Sequence, residues 1–374
     1  MKLFEYQAKD VFSGHGIPVP KSQQVTRPEE AAAAAETIGL PCVLKSQLLQ
    51  GGRGKAGLIK IVRSEDEASA AAAELFARPE GVKVLMVEEA IDIDREIYLS
   101  ITIDPLTARG LIIASAEGGV EIETLAKDKP EALIREHFDL TRGLEAFRAR
   151  SVAYDMGLTG DAVRQMVKII GALYQIFTEY DAELVEINPL FHTKDGTLIA
   201  GDAKLSIDDN SAFRQHEYKI TREHFSSDAE YEAAVDGIPY LQFDGDIGLM
   251  CAGAGLTTTV YDLINYEGGT IANYLEFGGP NYRRAIRAME LCLKNPSKVI
   301  LVVTFGTIAR ADVMAEGIVE AIGKLKPDRP IVTCIRGTNE DRAVEILEAA
   351  GLTPIFDTEE AVREAVRISK GGAA

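Results

Sequence analysis

Lys45 precedes the stretch Gly51-Gly52-Arg53-Gly54-Lys55-Ala56-Gly57, in which four of seven residues are glycine and two are cationic. Glycines let backbone N–H groups approach an anion closely, and Lys and Arg neutralise it, so the pattern suits a phosphate-binding loop. It is not the GxxxxGK[ST] loop that runs straight into a helix, because Leu58–Val62 resumes as a strand behind it. The loop therefore spans a β-hairpin, a place where a merely flexible surface turn would have a similar composition.

A second group is Glu186-Ile187-Asn188, with Asp202 sixteen residues after Glu186. Two residues apart on a strand, Glu186 and Asn188 share a face. Asp202 falls on the expected partner strand, beyond a turn at Lys194-Asp195-Gly196. Carboxylate and amide oxygens converging in this way suit Mg²⁺ held together with nucleotide phosphates. The alternative is the polar outer face of a hairpin, which the apolar neighbours Leu184-Val185 and Ile199-Ala200 argue against. Glu88 and Glu96 flank a third stretch, where acceptors at a strand end could meet a base amine or ribose hydroxyls, or simply be solvated. The five histidines (His15, His137, His192, His216, His224) form no metal spacing, and none lies in a glycine-rich nucleophile turn.

The elements that would position these groups fall into two regimes. Helices are expected at 4–14, 28–39, 64–76, 130–137 and 161–179, the last with an apolar stripe from Val163 to Ile176. Strands are expected at 42–45, 58–62, 82–88, 96–103, 109–114, 182–187 and 198–205. Residues 226–240 are polar and acidic and read as a linker. Beyond them, β-branched strands at 247–252, 272–277, 299–305, 331–335 and 353–356 alternate with helices. That alternation indicates a buried, doubly wound parallel sheet of the flavodoxin-like kind.

Composition bounds the partners. The 374 residues carry a formal net charge of −18, which argues against nucleic acid, since a phosphate backbone needs a basic face. Hydrophobic residues make up 46% of the chain, enough for two domains with their own cores. No apolar run is long enough for a membrane span. The mixed-charge start and the four scattered cysteines (Cys42, Cys251, Cys292, Cys334) lead to the expectation of a cytoplasmic protein with reduced thiols.

Several stretches together resemble the β subunit of succinyl-CoA synthetase. They are MKLFEYQAK at 1–9, VLKSQLLQGGRGKAG at 43–57, ASAEGGVEIE at 114–123, VEINPL at 185–190 and GDAKLSIDDNSAFR at 201–214. Gly253-Ala254-Gly255-Leu256 and Arg336-Gly337-Thr338-Asn339 extend the likeness into the second half. The resemblance implies an ATP-grasp domain over 1–235 and a flavodoxin-like CoA-ligase domain over 236–374. It implies that Lys45, Arg53 and Gly54 contact the phosphates of ATP or GTP, with Gly52 making the close backbone approach. Glu88, Glu96 and the backbone at Ile91 would hold base and ribose, Asn188 and Asp202 Mg²⁺. Glu186 would receive a phosphohistidine loop, and Asn273, Gly306, Thr307 and Ile308 would face the acid. The phosphohistidine and most of the CoA site would lie on a separate α subunit, which accounts for the lack of a nucleophilic histidine here. The family reaction joins a dicarboxylate to CoA in the tricarboxylic acid cycle.

Two departures fall where the acid is expected. A Gly-Gly-Gly run is Gly278-Gly279-Pro280 here, and Phe-Gly-Gly-Ile is Phe305-Gly306-Thr307-Ile308. Thr307 adds a hydroxyl and Pro280 removes a backbone donor, so the expected acid is a substituted or larger polycarboxylate such as malate or citrate rather than succinate. A nucleotide-binding regulatory subunit without turnover is the reading from another class. The intact set Lys45, Arg53, Glu186, Asn188 and Asp202 opposes it.

Overall fold

The computed structural model describes residues 1–49, 51–119, 122–278, 284–307 and 309–372. The chain divides into two compact units, Met1–Ile220 and Thr221–Ala374.

In the first unit, α1 (Glu5–Gly14) leads to β1 (Ser22–Val25), α2 (Ala31–Ile38), β2 (Cys42–Ser46), β3 (Ile59–Val62), α3 (Glu65–Phe76) and β4 (Leu85–Glu89). These strands form a four-stranded antiparallel sheet in the order β1-β4-β2-β3. The Ala-rich faces of α2 and α3 cover one side, where Cys42, Leu44, Val62 and Val87 are buried. Ser64 starts α3 by accepting the Glu67 N–H, and three acids fill its first turn, as the helix dipole favours.

The chain then makes β5 (Ile93–Asp104), β6 (Arg109–Ser115), α4 (Ile122–Asp128), β7 (Ile134–Phe138), α5 (Ala146–Asp155), α6 (Gly160–Glu179), β8 (Ala182–Thr193), β9 (Leu198–Ala200) and β10 (Lys204–Ile207). The second sheet runs β10-β8-β5-β6-β7, with β9 paired to β8. Its apolar face, including Ile97, Leu99, Ile101, Val185 and Ile187, packs on the stripe of α6.

Residues 130–137, read as helix, instead make one 3₁₀ turn and the strand β7. Pairing with β6 and burial of Phe138 override local propensity there. The segments of β1, α4 and α5 were not expected from sequence.

The second unit comprises α7 (Asp228–Asp236), β11 (Tyr240–Gln242), β12 (Ile247–Cys251), α8 (Ala254–Tyr266), β13 (Ile271–Leu275), α9 (Ala285–Leu293), β14 (Val299–Gly306), α10 (Ala311–Leu325), β15 (Ile331–Gly337), α11 (Glu340–Ala349) and α12 (Thr358–Ser369). Strands β13-β12-β14-β15 are parallel, with β11 antiparallel on the edge. Ile300 and Val302 face α9, α10 and α11, while Leu301 and Val303 face α8 and α12. A sheet buried on both sides explains why these strands read as unbroken apolar runs.

The stretch read as a linker is α7 and β11. Ser227 caps α7, and Ala229 and Ala233 are buried in the core of the second unit. The packing boundary thus lies near 220, ahead of the domain boundary at 235 that the resemblance implies. The strand expected at 353–356 is reduced to one bridge, Thr333 to Pro354.

Candidate functional site

The glycine-rich loop joins β2 to β3, which pair with Lys45 opposite Ile59. Alternation along β2 sends Cys42 and Leu44 into the core and Lys45 to the other face. There its Nζ lies 2.6 Å from Glu88 Oε1, 3.1 Å from Glu5 Oε1 and 2.7 Å from the Gly201 carbonyl. Glu88 is on the same face because β4 sets it opposite Val43, diagonally from Lys45. Lys9, one turn after Glu5 on α1, donates to Glu88 and to the Gly201 carbonyl and is 3.1 Å from Glu5. From the loop, Arg53 turns inward. Its Nη1 lies 2.6 Å from Glu5 Oε2, and its Nη2 lies 3.1 Å from Asp202 Oδ2.

Three cations (Lys9, Lys45, Arg53) therefore face three carboxylates (Glu5, Glu88, Asp202). All but Asp202 have side chains no more than 11% exposed; Asp202 is 34% exposed. Burial works against charge on every one of them. For Glu5 it is outweighed by Lys45, Lys9 and Arg53, which hold the carboxyl well below its usual range. For Lys45 burial is outweighed by Glu5, Glu88 and Asp202, which push the ammonium up. Burial and the neighbouring Glu5 push Asp202 up to about 6, against the pull of Arg53, Lys45 and Lys9. Asp202 is thus a carboxylate with room for another cation.

A polar strip crosses β5 and β8. Glu186 lies opposite Ser100, and its Oε2 accepts from the Tyr98 hydroxyl at 3.3 Å, with Lys204 Nζ 3.7 Å away. Asn188 Oδ1 accepts the Gly119 N–H at 3.0 Å. Gly119, beside the Glu96 carboxylate, has φ +69°, a left-handed conformation that favours glycine in this turn. Asp202 lies in the bend between β9 and β10 rather than on a strand, and its N–H donates to the carbonyl of Pro189, next to Asn188. A carboxylate and an amide oxygen from adjoining stretches of chain are of the types that Mg²⁺ takes, since it commonly uses few protein oxygens and fills the rest with phosphate and water. Among the described residues no cluster of three or more His, Cys, Asp or Glu side chains could hold a metal alone. A cavity of about 580 Å³ beside Met1, Ile207, Ala212, Gln215 and Tyr218 involves none of these groups.

The structure thus brings Lys45, Arg53 and Asp202 together and sets Glu186, Asn188 and Glu96 along one strip. Gly52 and Gly54 are exposed in the loop, and Ile91 lies partly buried between β4 and β5. Glu88 departs from the expected place beside Glu96: both its carboxylate oxygens are taken by Lys9 and Lys45, so it braces cations rather than offering an acceptor to a base.

Asn273 departs further. It is fully buried, donating to the Leu249 carbonyl at 2.8 Å and accepting from Asn295 at 2.8 Å, which ties β12 to β13 and leaves it no face for a substrate. Helix α10 begins at Ala311, not 308, so Thr307 is not its opening residue. Thr307 is an exposed bend residue whose carbonyl accepts from the Thr338 hydroxyl, and Gly306 ends β14. Ile308, Gly279 and Pro280 lie outside the described residues.

Glu5, Lys9 and Tyr98 escaped the sequence reading. The one available signal was the Glu5/Lys9 pair at helical spacing, which reads as a surface ion pair until α1 brings it to Lys45 on β2 and Glu88 on β4.

Comparison with known proteins matches residues 2–192 to an ATP-grasp domain and residues 250–368 to a CoA-ligase domain. An ADP-forming sulfoacetate-CoA ligase subunit from Acholeplasma sp is 63% identical over 99% of this chain and 92% of its own length. The beta subunit of an ADP-forming succinate–CoA ligase from Ignicoccus hospitalis is 45% identical over 99% of this chain and 100% of its own. The chain belongs to the ADP-forming acid–CoA ligase family. As a member, this acid–CoA ligase chain is an acid–thiol ligase subunit with an ATP-grasp unit followed by a parallel-sheet unit. The structure of ATP citrate lyase from Methanothrix soehngenii, in complex with citrate and coenzyme A, covers 99% of both chains at TM-score 0.72 and 21% identity, a likeness of fold. No described helix of the ligase chain is long and apolar enough to cross a membrane. Its four cysteines are free and buried.

Proposed function

We propose that this chain is the nucleotide-binding, β-type subunit of an ADP-forming acid–CoA ligase whose acid is sulfoacetate. The observation that supports the nucleotide role is the meeting of Lys45 and Arg53 with Asp202 at the base of the glycine-rich hairpin. Phosphoryl transfer is mainly positioning and charge neutralisation, and these residues offer both. Lys45 and the outer nitrogen of Arg53 would take phosphate oxygens of ATP, with the backbone around Gly52 and Gly54 closing on them. Asp202 and Asn188 would hold Mg²⁺, whose charge would offset that of the phosphates. Glu96 would face the sugar or base. Glu186, braced by Tyr98, would orient a phosphohistidine delivered by an α-type partner that also carries most of the CoA site. A covalent carrier of this kind splits one condensation into easier transfers. His15 and His137 are engaged with Glu179 and Asp104, which fits a reactive histidine supplied from outside.

Two considerations favour sulfoacetate over succinate and over the malate or citrate read from sequence. The relative named for sulfoacetate is 63% identical and the one named for succinate 45%. Sulfoacetate also carries a tetrahedral sulfonate with three equivalent acceptors in place of a planar carboxylate. A pocket changed at Gly278-Gly279-Pro280 and Thr307 would present a different donor set to it. A place in the tricarboxylic acid cycle does not follow from this reading.

The test reconstitutes the chain with its partner and compares kcat/KM for sulfoacetate, succinate, malate and citrate. Sulfoacetate is expected to lead by tenfold or more; succinate in front overturns the assignment of the acid. The chain alone should bind MgATP and form no acyl-CoA, and acyl-CoA from the chain alone would overturn the split-subunit reading.

A further inference from the structure

We propose that Glu5 is a positioning residue of the nucleotide site, the fixed anchor that holds Lys45 and from which Arg53 exchanges its outer partner for phosphate. This rests on the reading of Lys45, Arg53 and Asp202 as the nucleotide–Mg²⁺ site.

The two ends of the Arg53 guanidinium are not equivalent. Nη1 points inward, 2.6 Å from Glu5 and 3.2 Å from the Ser46 carbonyl, and Nη2 points to Asp202 at 3.1 Å. The Glu5 side chain is 2% exposed and that of Asp202 34%. A phosphate arriving from solvent can displace only the outer partner. Arg53 then keeps Glu5 through Nη1 and turns Nη2 to the phosphate, while Asp202 is released toward a cation. With neither ligand present, Arg53 and Asp202 occupy each other. Glu5 also fixes Lys45, with Oε1 3.1 Å from its Nζ.

Glu5 can play this part because α1 is fastened to the strand that feeds the loop. Gln47 Oε1 accepts the Tyr6 N–H at 3.1 Å, and Gln47 Nε2 lies 3.4 Å from Glu5 Oε2. Lys9, with its side chain 3% exposed, is the counter-charge that keeps two carboxylates, Glu5 and Glu88, together in the interior. Glu5 acts through Arg53 and Lys45, not on the nucleotide.

The experiment uses the full-length chain with ATP and Mg²⁺ as the probe, and reads the dissociation constant by calorimetry alongside the thermal midpoint. Glu5→Gln should weaken MgATP binding by tenfold or more and lower the midpoint, because three buried cations then face two carboxylates. The double variant Glu5→Gln/Lys9→Met restores the balance of charge. It should recover most of the midpoint while MgATP binding stays at least tenfold weaker, and in the reconstituted enzyme the KM for ATP should rise more than kcat falls.

A double variant that binds MgATP within threefold of the parent shows that Glu5 only balances charge, and overturns the proposal. Should Glu5→Gln alone fail to fold, the double variant decides. Lys45→Met is the control for the underlying reading. Normal MgATP binding by Lys45→Met removes the nucleotide site itself, whereas lost binding there with normal binding in the double variant removes only the role of Glu5.

Discussion

The glycine-rich hairpin of the first unit and the carboxyl edge of the parallel sheet in the second are held together by different materials. Around the hairpin the work is done by charged side chains: Lys9, Lys45 and Arg53 against Glu5, Glu88 and Asp202. At the edge of the second sheet the loops are held by backbone. The loops after β14 and β15 are laced together, with Thr338 N–H donating to the Gly306 carbonyl and Ala311 N–H to the Thr338 carbonyl. The charges there, Arg310 and Asp312, neutralise each other, and Asp312 also accepts from Asn339. A site made of side chains announces itself by residue type. A site made of backbone depends on where strands stop and helices start, which sequence places poorly.

The comparison can be broken most forcefully at Lys45. Lys45→Met leaves Glu5 and Glu88 with one fewer cation in a buried setting, and removing one partner of such a group costs about 3–5 kcal/mol. Urea unfolding of the full chain should show that loss. A loss below about 1 kcal/mol would mean that the cluster is far better solvated than its burial indicates.

Gly337→Ala probes the backbone-built edge. Gly337 has φ +115°, and a Cβ there would run into the backbone of Gly306, which cannot swing aside as a side chain can. Overpacking and backbone strain together should cost about 2–4 kcal/mol. The loss should fall on the second unit, so MgATP binding by calorimetry should survive while acyl-CoA formation in the reconstituted enzyme falls. Equal damage to both would erase the distinction drawn here.

Asp202→Asn keeps the shape of the hairpin site and removes one negative charge. Phosphorylation of the partner should slow by more than roughly tenfold, about 1.4 kcal/mol, with the unfolding midpoint nearly unchanged or raised. The direction on stability follows from Asp202 standing above its ordinary range in the fold, which makes its ionisation unfavourable there. A variant that transfers phosphate at the normal rate moves the metal elsewhere.

The smallest effect is expected at His15, 2.9 Å from Glu179. Burial disfavours its charge, but Glu179 and the Val11 carbonyl outweigh burial and raise its pKa. A raised histidine stabilises the fold fully below its unfolded value near 6.5, and the contribution fades as pH rises through the higher folded value. Comparing the chain with His15→Gln between pH 6 and 8 should show a difference of less than about 1 kcal/mol that shrinks with rising pH. A difference that grows with pH would reverse the assignment.

Much of this was legible in the chain itself. The loop at 51–57, the carboxylate and amide at Glu186 and Asn188, and the strand–helix alternation beyond residue 247 rest on residue type and local period, and those are properties of sequence. Segments whose state depended on a distant partner were not. Residues 134–138 are a strand because β6 is there to pair with them, and 228–236 are a helix because a core takes up Ala229 and Ala233. Tertiary structure also decided the company each charge keeps. Glu88, read as an acceptor for a base, and Glu5 and Lys9, which residue type did not single out, become one buried cluster only when α1 brings its charged face to Lys45 on β2 and Glu88 on β4. The reason is electrostatic: a charge far from water must be matched by opposite charges within a few ångströms, and those come from wherever the fold brings them, 40 residues away for Glu5 and Lys45 and 149 for Arg53 and Asp202.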